Sequence, residues 1–567
     1  MPKAEPKTEG AFRTAVIDEL YPLQRYVAKA GVQDLPITED PYRMARLFKG
    51  WSGKADTFLD YKTFDPQTLQ WKGPGLRQIL KPYKNDLEGF SKYLVGKRAV
   101  ELSDQGRETG IDIANAQQYL KDNAKTYEKG WQEIKKYQND VLDFAEKSGL
   151  ISPETKEMWQ EVNQNYVPFQ RVIEEPDSEF FGKSMQPKKQ FYELKGSKRP
   201  IIDPLESIVG NTYTIIRASE QNNVLRSLVE FDKNHKGAAE FIEAREIGES
   251  EPTLKNFYEY LKGDNVVRDD SIRFFDGGKL KTYGVTKEIA DVLKGGLKSP
   301  ELDMLGKIIS FPTRLVRAGA ITLSPGTLAK LATIDQLEAF LYTDIGYVPY
   351  VDLARGIFTA LKKPEIFHQW KAAGGDQSLA RELSRNTKQQ KLRNVSDKGT
   401  FTDLPSLFRA IEDLSKPLEE ATRLSVFEKT LKRKGMSPEA LRESALAARE
   451  ATLDFAKKGA KTRLAQQAIP FFNAAIQGAD KFIQEAKKNP MMVVKAAKWV
   501  TIPTLALYYL NKDRKEYQEL PEHEKNSHWH FYTDIGDETL HLKMAWRVVT
   551  VLRSLSIIKI FIFLFRI

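Results

Sequence analysis

Through most of this 567-residue chain the apolar side chains recur three and four positions apart, the spacing by which one face of an α-helix meets a core. Leu414, Leu418, Ala421, Leu424, Phe427 and Leu431 make one such stripe, and Leu441, Ala445, Ala448, Thr452 and Phe455 make the next. Tyr83, Leu87, Phe90 and Leu94 do the same earlier, as do Trp131, Ile134, Tyr137, Val141 and Phe144. Ser152-Pro153-Glu154 reads as a helix start: a capping hydroxyl, a proline where no amide donor is needed, and an acid at the positive end of the helix dipole. Strand signals are confined to short stretches. Residues 271–285 place β-prone runs on either side of Asp276-Gly277-Gly278, and 528–543 turn near Asp534–Asp537. The expected fold is mainly α: multi-helix, elongated or multi-lobed, with one or two small β-hairpins at about 271–285 and 528–543.

Punctuation divides the chain into parts. Residues 1–10 are a polar lead, expected to be disordered, and 11–172 an N-terminal helical domain. Residues 173–204, with Pro176, Pro187, Pro200, Pro204, Gly182 and Gly196, read as a linker or loop. Residues 205–300 are a helix, from about Leu205 to Asn234, plus the first hairpin. Residues 301–400 are a helical domain with breaks near Gly374–Gly375 and 395–404, and 401–530 the helical domain that carries the two stripes. Residues 531–567 are a hairpin and an atypical tail. No fixed-period repeat appears, which argues against a solenoid.

Several chemistries are excluded by residue type. With no cysteine there is no thiol nucleophile, disulfide, iron–sulfur cluster or Cys-type zinc site. The first thirty residues lack the apolar core of a signal peptide. Gly182-Lys183-Ser184 ends like a phosphate loop, but Asp177 stands where the earlier glycine belongs, and an acid repels a phosphate. Gly277-Gly278-Lys279 lacks the following hydroxyl and reads as a turn. There is no G-x-S-x-G nucleophile elbow, and no acid carries a local signature of a glycosidic general acid. Four of the six histidines fall in 523–541; His528, His530 and His541 have spacing that suits a tri-imidazole site, although packing beside Trp529 and Phe531 is the better account of them.

Charge and apolar runs suggest surfaces. Net charge is +10, and residues 381–510 hold 24 Lys and Arg against 14 Asp and Glu. Such a face attracts DNA or anionic lipid, or is simply solvated. Residues 490–510 (PMMVVKAAKWVTIPTLALYYL) are long enough to span a bilayer, but Lys495 and Lys498 interrupt them; a buried core helix is expected, with an interfacial helix as the alternative. Residues 556–567 (SIIKIFIFLFRI) read as an aggregation-prone strand, a membrane-seeking tail, or a frameshifted ending.

Ordered motifs add a family resemblance. YVPFQR at 166–171, TLSPGTL and GYVPYVDLARG within 313–356, EEATRLSVFEKTL at 419–431, AAREATLDFAKKG at 447–459 and PFFNAAIQG at 470–478 together resemble the large polyvalent protein-associated domains of bacteriophages and prophages, over most of 80–530. Two departures stand out. The family's Asn and Arg-Asp pair after the TLSP-like turn is reduced here to Asp335, in Lys330-Leu331-Ala332-Thr333-Ile334-Asp335. Its Pro-Phe-Glu segment past the second hairpin is replaced by MAWRVVTVLRSLSIIKIFIFLFRI, which points to truncation or a frameshift.

The resemblance implies a non-enzymatic structural or interaction module without a cofactor, in a virion-associated or genome-ejection protein of a phage or mobile element. It would sit in the virion or the host cytoplasm, contacting other virion proteins, and DNA or anionic membrane, with oligomers allowed. Alternatives are a DNA- or membrane-binding module through 381–510, and a muramidase-like enzyme, marked by a cleft holding an isolated buried Glu. Within the stripes, Arg423, Arg449, Asp454, Asn473 and Gln477 form the expected polar network, with Arg423 or Arg449 meeting Asp454, because a buried charge must be paired.

Overall fold

The computed structural model describes residues 7–32, 34–106, 109–162, 204–235, 246–250, 260–261, 266–268, 270–297, 335–376, 420–452, 454, 457, 459–460, 472–535 and 538–545. The protein is mainly α with small antiparallel β elements. Both segments read as hairpins are strands. Ser271–Asp276 pairs with Lys279–Gly284 through a turn at Gly277 (φ +58°) and Gly278 (φ +81°), a backbone region that glycine enters without steric cost. His528–Ile535 pairs with Glu538–Ala545.

The first hairpin proves larger than its local signal. Glu246–Ser250 adds to the outer edge of Lys279–Gly284, and Val266–Arg268 to that of Ser271–Asp276, making a four-stranded antiparallel sheet. A further small pair, Lys62–Phe64 with Trp71–Pro74, lies inside the N-terminal helical region. Phe64 there packs edge-on against Phe58 and Phe144, so tertiary aromatic contacts support a strand too short to show periodicity.

Helix boundaries follow the local chemistry. Ser152 caps Pro153–Val162, its Oγ accepting from the Thr155 amide at 3.1 Å. Asp40 caps Pro41–Phe48 by accepting from the Tyr42 and Arg43 amides at 2.9 and 3.0 Å. Ser437 caps Pro438–Ala451 through the Ala440 amide. The break at Gly374–Gly375 ends Pro364–Ala372, with Gly374 at φ +86°.

Pro204–Asn234 is the axis of the molecule. It packs against Pro41–Phe48, Trp51–Asp60, Ile113–Lys147 and the strand Ser271–Asp276, and is buried on every side, as expected of a helix with no preferred apolar face. Its polar residues are wired accordingly. Asn222 donates to Ser148 O and Phe275 O and accepts from Tyr260, while Asp232 accepts from Tyr26 at 2.7 Å and Tyr283 at 2.9 Å.

One cluster of buried apolar residues therefore runs from Leu20 through Phe144, Leu228, Phe275 and Trp370 to Leu424 and Ala448. The segment boundaries at 172, 204 and 300 divide the chain but not this core, because the axial helix is shared. Two small clusters, around Tyr347–Val426 and Leu341–Phe482–Met492, extend it.

Two expectations are corrected. The lead at 1–10 includes the start of a helix, Lys7–Phe12, held where Gly10 lies close beside Arg25 and Tyr21. Residues 490–510 are not a buried core helix: they form Pro490–Ala496, a π turn Ala497–Thr501, and Ile502–Asn511, with most of the apolar side chains of the last helix exposed. YVPFQR, TLSPGTL, Gly182-Lys183-Ser184, the 173–203 stretch, the 395–404 break and the 546–567 tail lie outside the described residues.

Candidate functional site

Two of the quoted motifs meet in space. A helix at 420–434, which holds residues 420–431 of one motif, packs against Val351–Lys362, which follows from GYVPYVDLARG. The described members of its stripe, Ala421, Leu424, Phe427 and Leu431, are all buried. A Cβ on Gly356 would lie 1.9 Å from Ala421 O, so the two backbones touch and glycine is obligatory there.

Charged groups reinforce this crossing. Buried Asp352 accepts from the Val348 amide at 2.7 Å and from Lys429 Nζ at 2.5 Å, and also pairs with Arg355. Lys429 Nζ donates as well to Gly346 O. Buried Glu428 takes Thr359 Oγ1–H at 2.9 Å and Lys363 Nζ at 3.0 Å. Burial pushes the Glu428 carboxyl up, but the bonds from Lys363, Thr359 and Lys432 outweigh it and hold the group below the usual carboxylate range. Tyr347 donates to Gln336 Oε1, and Gln336 donates to Thr422 Oγ1.

The second motif supplies a buried relay. Arg449 donates to Gly374 O at 3.0 Å and Asp376 O at 3.3 Å, and pairs with Asp454 Oδ1 at 3.4 Å. The other oxygen, Asp454 Oδ2, takes Arg46 at 2.7 Å, 408 positions away in sequence. Arg46 also donates to Tyr42 Oη at 3.0 Å, and Tyr42 donates to Asp18 Oδ2 at 2.9 Å. Arg423 donates its Nε–H to Thr452 Oγ1 at 2.9 Å. Gln477 donates to Ile17 O at 2.5 Å. Asn473 lies in the same helix, Phe472–Lys488, with its side chain outside the described set.

Four of the five expected network residues thus have placed side chains, and Arg449 and Asp454 meet. Asp18, Tyr42, Arg46 and Asp376 were not anticipated. Arg46 carried one signal: it stands among the buried positions of PYRMARLF, where an unpartnered charge is costly. Nearby, Lys481 Nζ donates to Glu450 O and Thr452 O and lies 4.4 Å from the Tyr342 ring centre. Burial pushes this ammonium down to about 8, although neighbouring Glu338 and Glu450 oppose the shift.

Beside this junction lies a cavity of about 260 Å³, lined by residues that include Lys54, Lys147, Glu220, Arg226, Glu230 and Arg442. Lys54 Nζ meets Glu220 Oε2 at 2.5 Å, and burial holds this ammonium below its ordinary range despite Glu220. Arg442 donates to Pro66 O at 2.9 Å and Gln67 O at 2.8 Å. Lys147 pairs with Asp65, and Arg226 with Glu230 and Asp276, both at 3.6 Å. The lining holds four cations, Lys54, Lys147, Arg226 and Arg442, against two acids, Glu220 and Glu230, while Asp65 and Asp276 pair with Lys147 and Arg226 from outside the lining. Ser227 spends its hydroxyl proton on Val224 O, and Glu220 is salt-bridged, unlike the isolated acid that protonation of a glycosidic oxygen requires.

Of the three candidate ligands His528, His530 and His541, only His530 has a described side chain. His530 is buried, its Nε2 3.2 Å from Glu524 O and its ring edge-on to Tyr517. Strand register sets His528 opposite Ala545, His530 opposite Lys543 and His541 opposite Tyr532, with the side chains of His528 and His541 outside the described set. Among the described residues no three ligand-type side chains gather as a metal site.

Compared with known proteins, the chain matches no family model, no curated protein and no solved structure.

Proposed function

We propose that this chain is a non-enzymatic structural and interaction module of a phage or prophage polyvalent protein, carried in the particle or ejected with the genome. The observation behind this reading is the Arg46–Asp454–Arg449 relay, in which the polar residues of the family-like segment bond to distant parts of the same chain. Such groups act as internal braces, spending their polar atoms on the fold and not on a bound substrate. The virion setting comes from the motif resemblance.

The cavity beside the junction lends the muramidase alternative no isolated acid, since Glu220 is paired with Lys54. Two measurements test the proposal. The purified chain is expected to leave peptidoglycan, nucleotides and peptides intact, and to be detected by mass spectrometry in purified particles of the phage that encodes it. Reproducible cell-wall hydrolysis abolished by Glu220→Gln overturns the proposal.

A further inference from the structure

The helical run from Pro490 to Asn511 is fastened along one side and bare along the other. Met492 and Ala496 are buried with Leu341 and Phe482, and Asn511 donates to His530 O at 2.6 Å. On the opposite side Met491 is 61% exposed, Val494 55%, Ile502 61%, Leu505 51% and Tyr509 65%.

The π turn makes these residues one stripe. From Val494 to Ile502 is eight positions, which in a regular α-helix leaves the two side chains about 80° apart at 3.6 residues per turn. The turn at Ala497–Thr501, closed by the Ile502 amide on Ala497 O, takes up one extra residue, so the two side chains return to the same face. Pro503 supplies the cause: it has no N–H for residue 499 and its ring crowds that carbonyl, a conflict that a wider turn relieves.

Charge selects the occupant. Residues 486–515 contain seven Lys and Arg and one acid, Asp513, among them. Lys487, Lys498, Lys512 and Lys515 are exposed, and Lys512 sits 5.3 Å from the Tyr509 ring centre. Apolar side chains flanked by lysines, with tyrosines at the end of the stripe, match the requirements of the headgroup boundary of an anionic bilayer. No helix among the described residues is long and apolar enough to cross a membrane; this one has the form of a helix that lies along the surface.

We propose that the exposed stripe Met491–Val494–Ile502–Leu505–Tyr509, with its lysine rim, docks the protein on an anionic phospholipid surface. This rests on the interaction-module reading and names one partner for it.

The test is co-sedimentation of the full-length protein with phosphatidylglycerol/phosphatidylcholine vesicles, with phosphatidylcholine alone, and with duplex DNA, at low and high salt. The variants are Leu505→Glu/Tyr509→Glu and Lys498→Glu/Lys512→Glu, all at exposed positions, with folding checked by circular dichroism. Partition onto the anionic vesicles is expected to exceed that onto neutral ones and to fall with salt. It is expected to drop at least about tenfold in the apolar variant, and in the lysine variant on anionic vesicles alone.

No vesicle binding, or binding that the folded apolar variant retains, overturns the proposal. A concentration-dependent dimer lost in the apolar variant assigns the stripe to a second copy and also overturns it. Binding to DNA alone, lost only in the lysine variant, does the same in favour of nucleic acid. None of these results depends on cell-wall hydrolysis, so the structural reading and the lipid reading fail separately.

Discussion

Gly356 and Ala421 touch backbone to backbone: a side-chain carbon on the first would lie 1.9 Å from the carbonyl oxygen of the second. The contact joins two motifs 65 positions apart and brings Thr359 and Lys363 within reach of Glu428.

Gly356→Ala is accordingly expected to force the two helices apart. Overpacking of this kind costs about 1–3 kcal/mol or more, read as a lower thermal midpoint with the helical spectrum retained. An unchanged midpoint would mean that the helices do not cross at this distance.

Asp454 stands between two buried guanidinium groups, those of Arg46 and Arg449. Asp454→Asn removes the nearest charge that offsets their desolvation, leaving Arg46 with Glu450 at 3.7 Å, and the expected loss is about 3–5 kcal/mol, measured as a shift of the urea midpoint. Arg46→Met in that background is expected to cost far less than in the parent protein, because the two share one interaction. Strict additivity of the two losses would rule out the coupling.

His368 stacks on Tyr61 at 4.6 Å, and its Nδ1 is buried without a hydrogen-bond partner. Burial first, and then the neighbouring Lys371 charge, push its pKa from 6.5 down to about 3. Between those values the unfolded chain binds a proton that the folded chain refuses. The stability this group contributes is therefore complete above pH 6.5 and is lost as pH falls toward 3. Thermal midpoints of His368→Phe, which keeps a ring against Tyr61, are expected to fall less steeply over that window; parallel curves would refute the assignment.

Lys481 makes the same kind of statement on the alkaline side. Its ammonium, ordinarily at 10.5, is pushed down to about 8, chiefly by burial. Below pH 8 the folded state carries the part of this half-buried ammonium's desolvation cost that the neighbouring acids do not offset. From 8 to 10.5 the unfolded chain holds the proton that the folded chain has released, so this group's contribution to stability rises with pH across that interval. Lys481→Met is expected to remove that rise, and the difference between its midpoints and those of the parent isolates it from the tyrosines. A difference that stays constant from pH 7 to 10.5 would contradict it.

Local features were legible because their causes are local. Ser152 caps its helix with an atom three residues from the amide it serves, and Asp276-Gly277-Gly278 turns because its two glycines take positive φ. The strands at 246–250 and 266–268 escaped notice, since each is held by its neighbours in the sheet. For 490–510 periodicity marked apolar residues correctly and said nothing of what would cover them.

The candidate site shows the same division. A buried polar or charged group among apolar positions announces that it needs a partner, and Arg423, Arg449, Asp454 and Gln477 were legible on that ground. Which partner it finds is decided by chain segments that approach only in the folded state: Asp454 by Arg46 at 408 positions, Gln477 by Ile17 at 460.

Sequence alone determined the mainly helical fold, the Ser152 cap and the turn at Gly277–Gly278, because those energies act within a few residues. Tertiary structure decided that the N-terminal region, the axial helix and the family-like helices share one core, and that one apolar helix face remains open. Burial and ion pairing depend on which surfaces meet, and no local pattern contains that information.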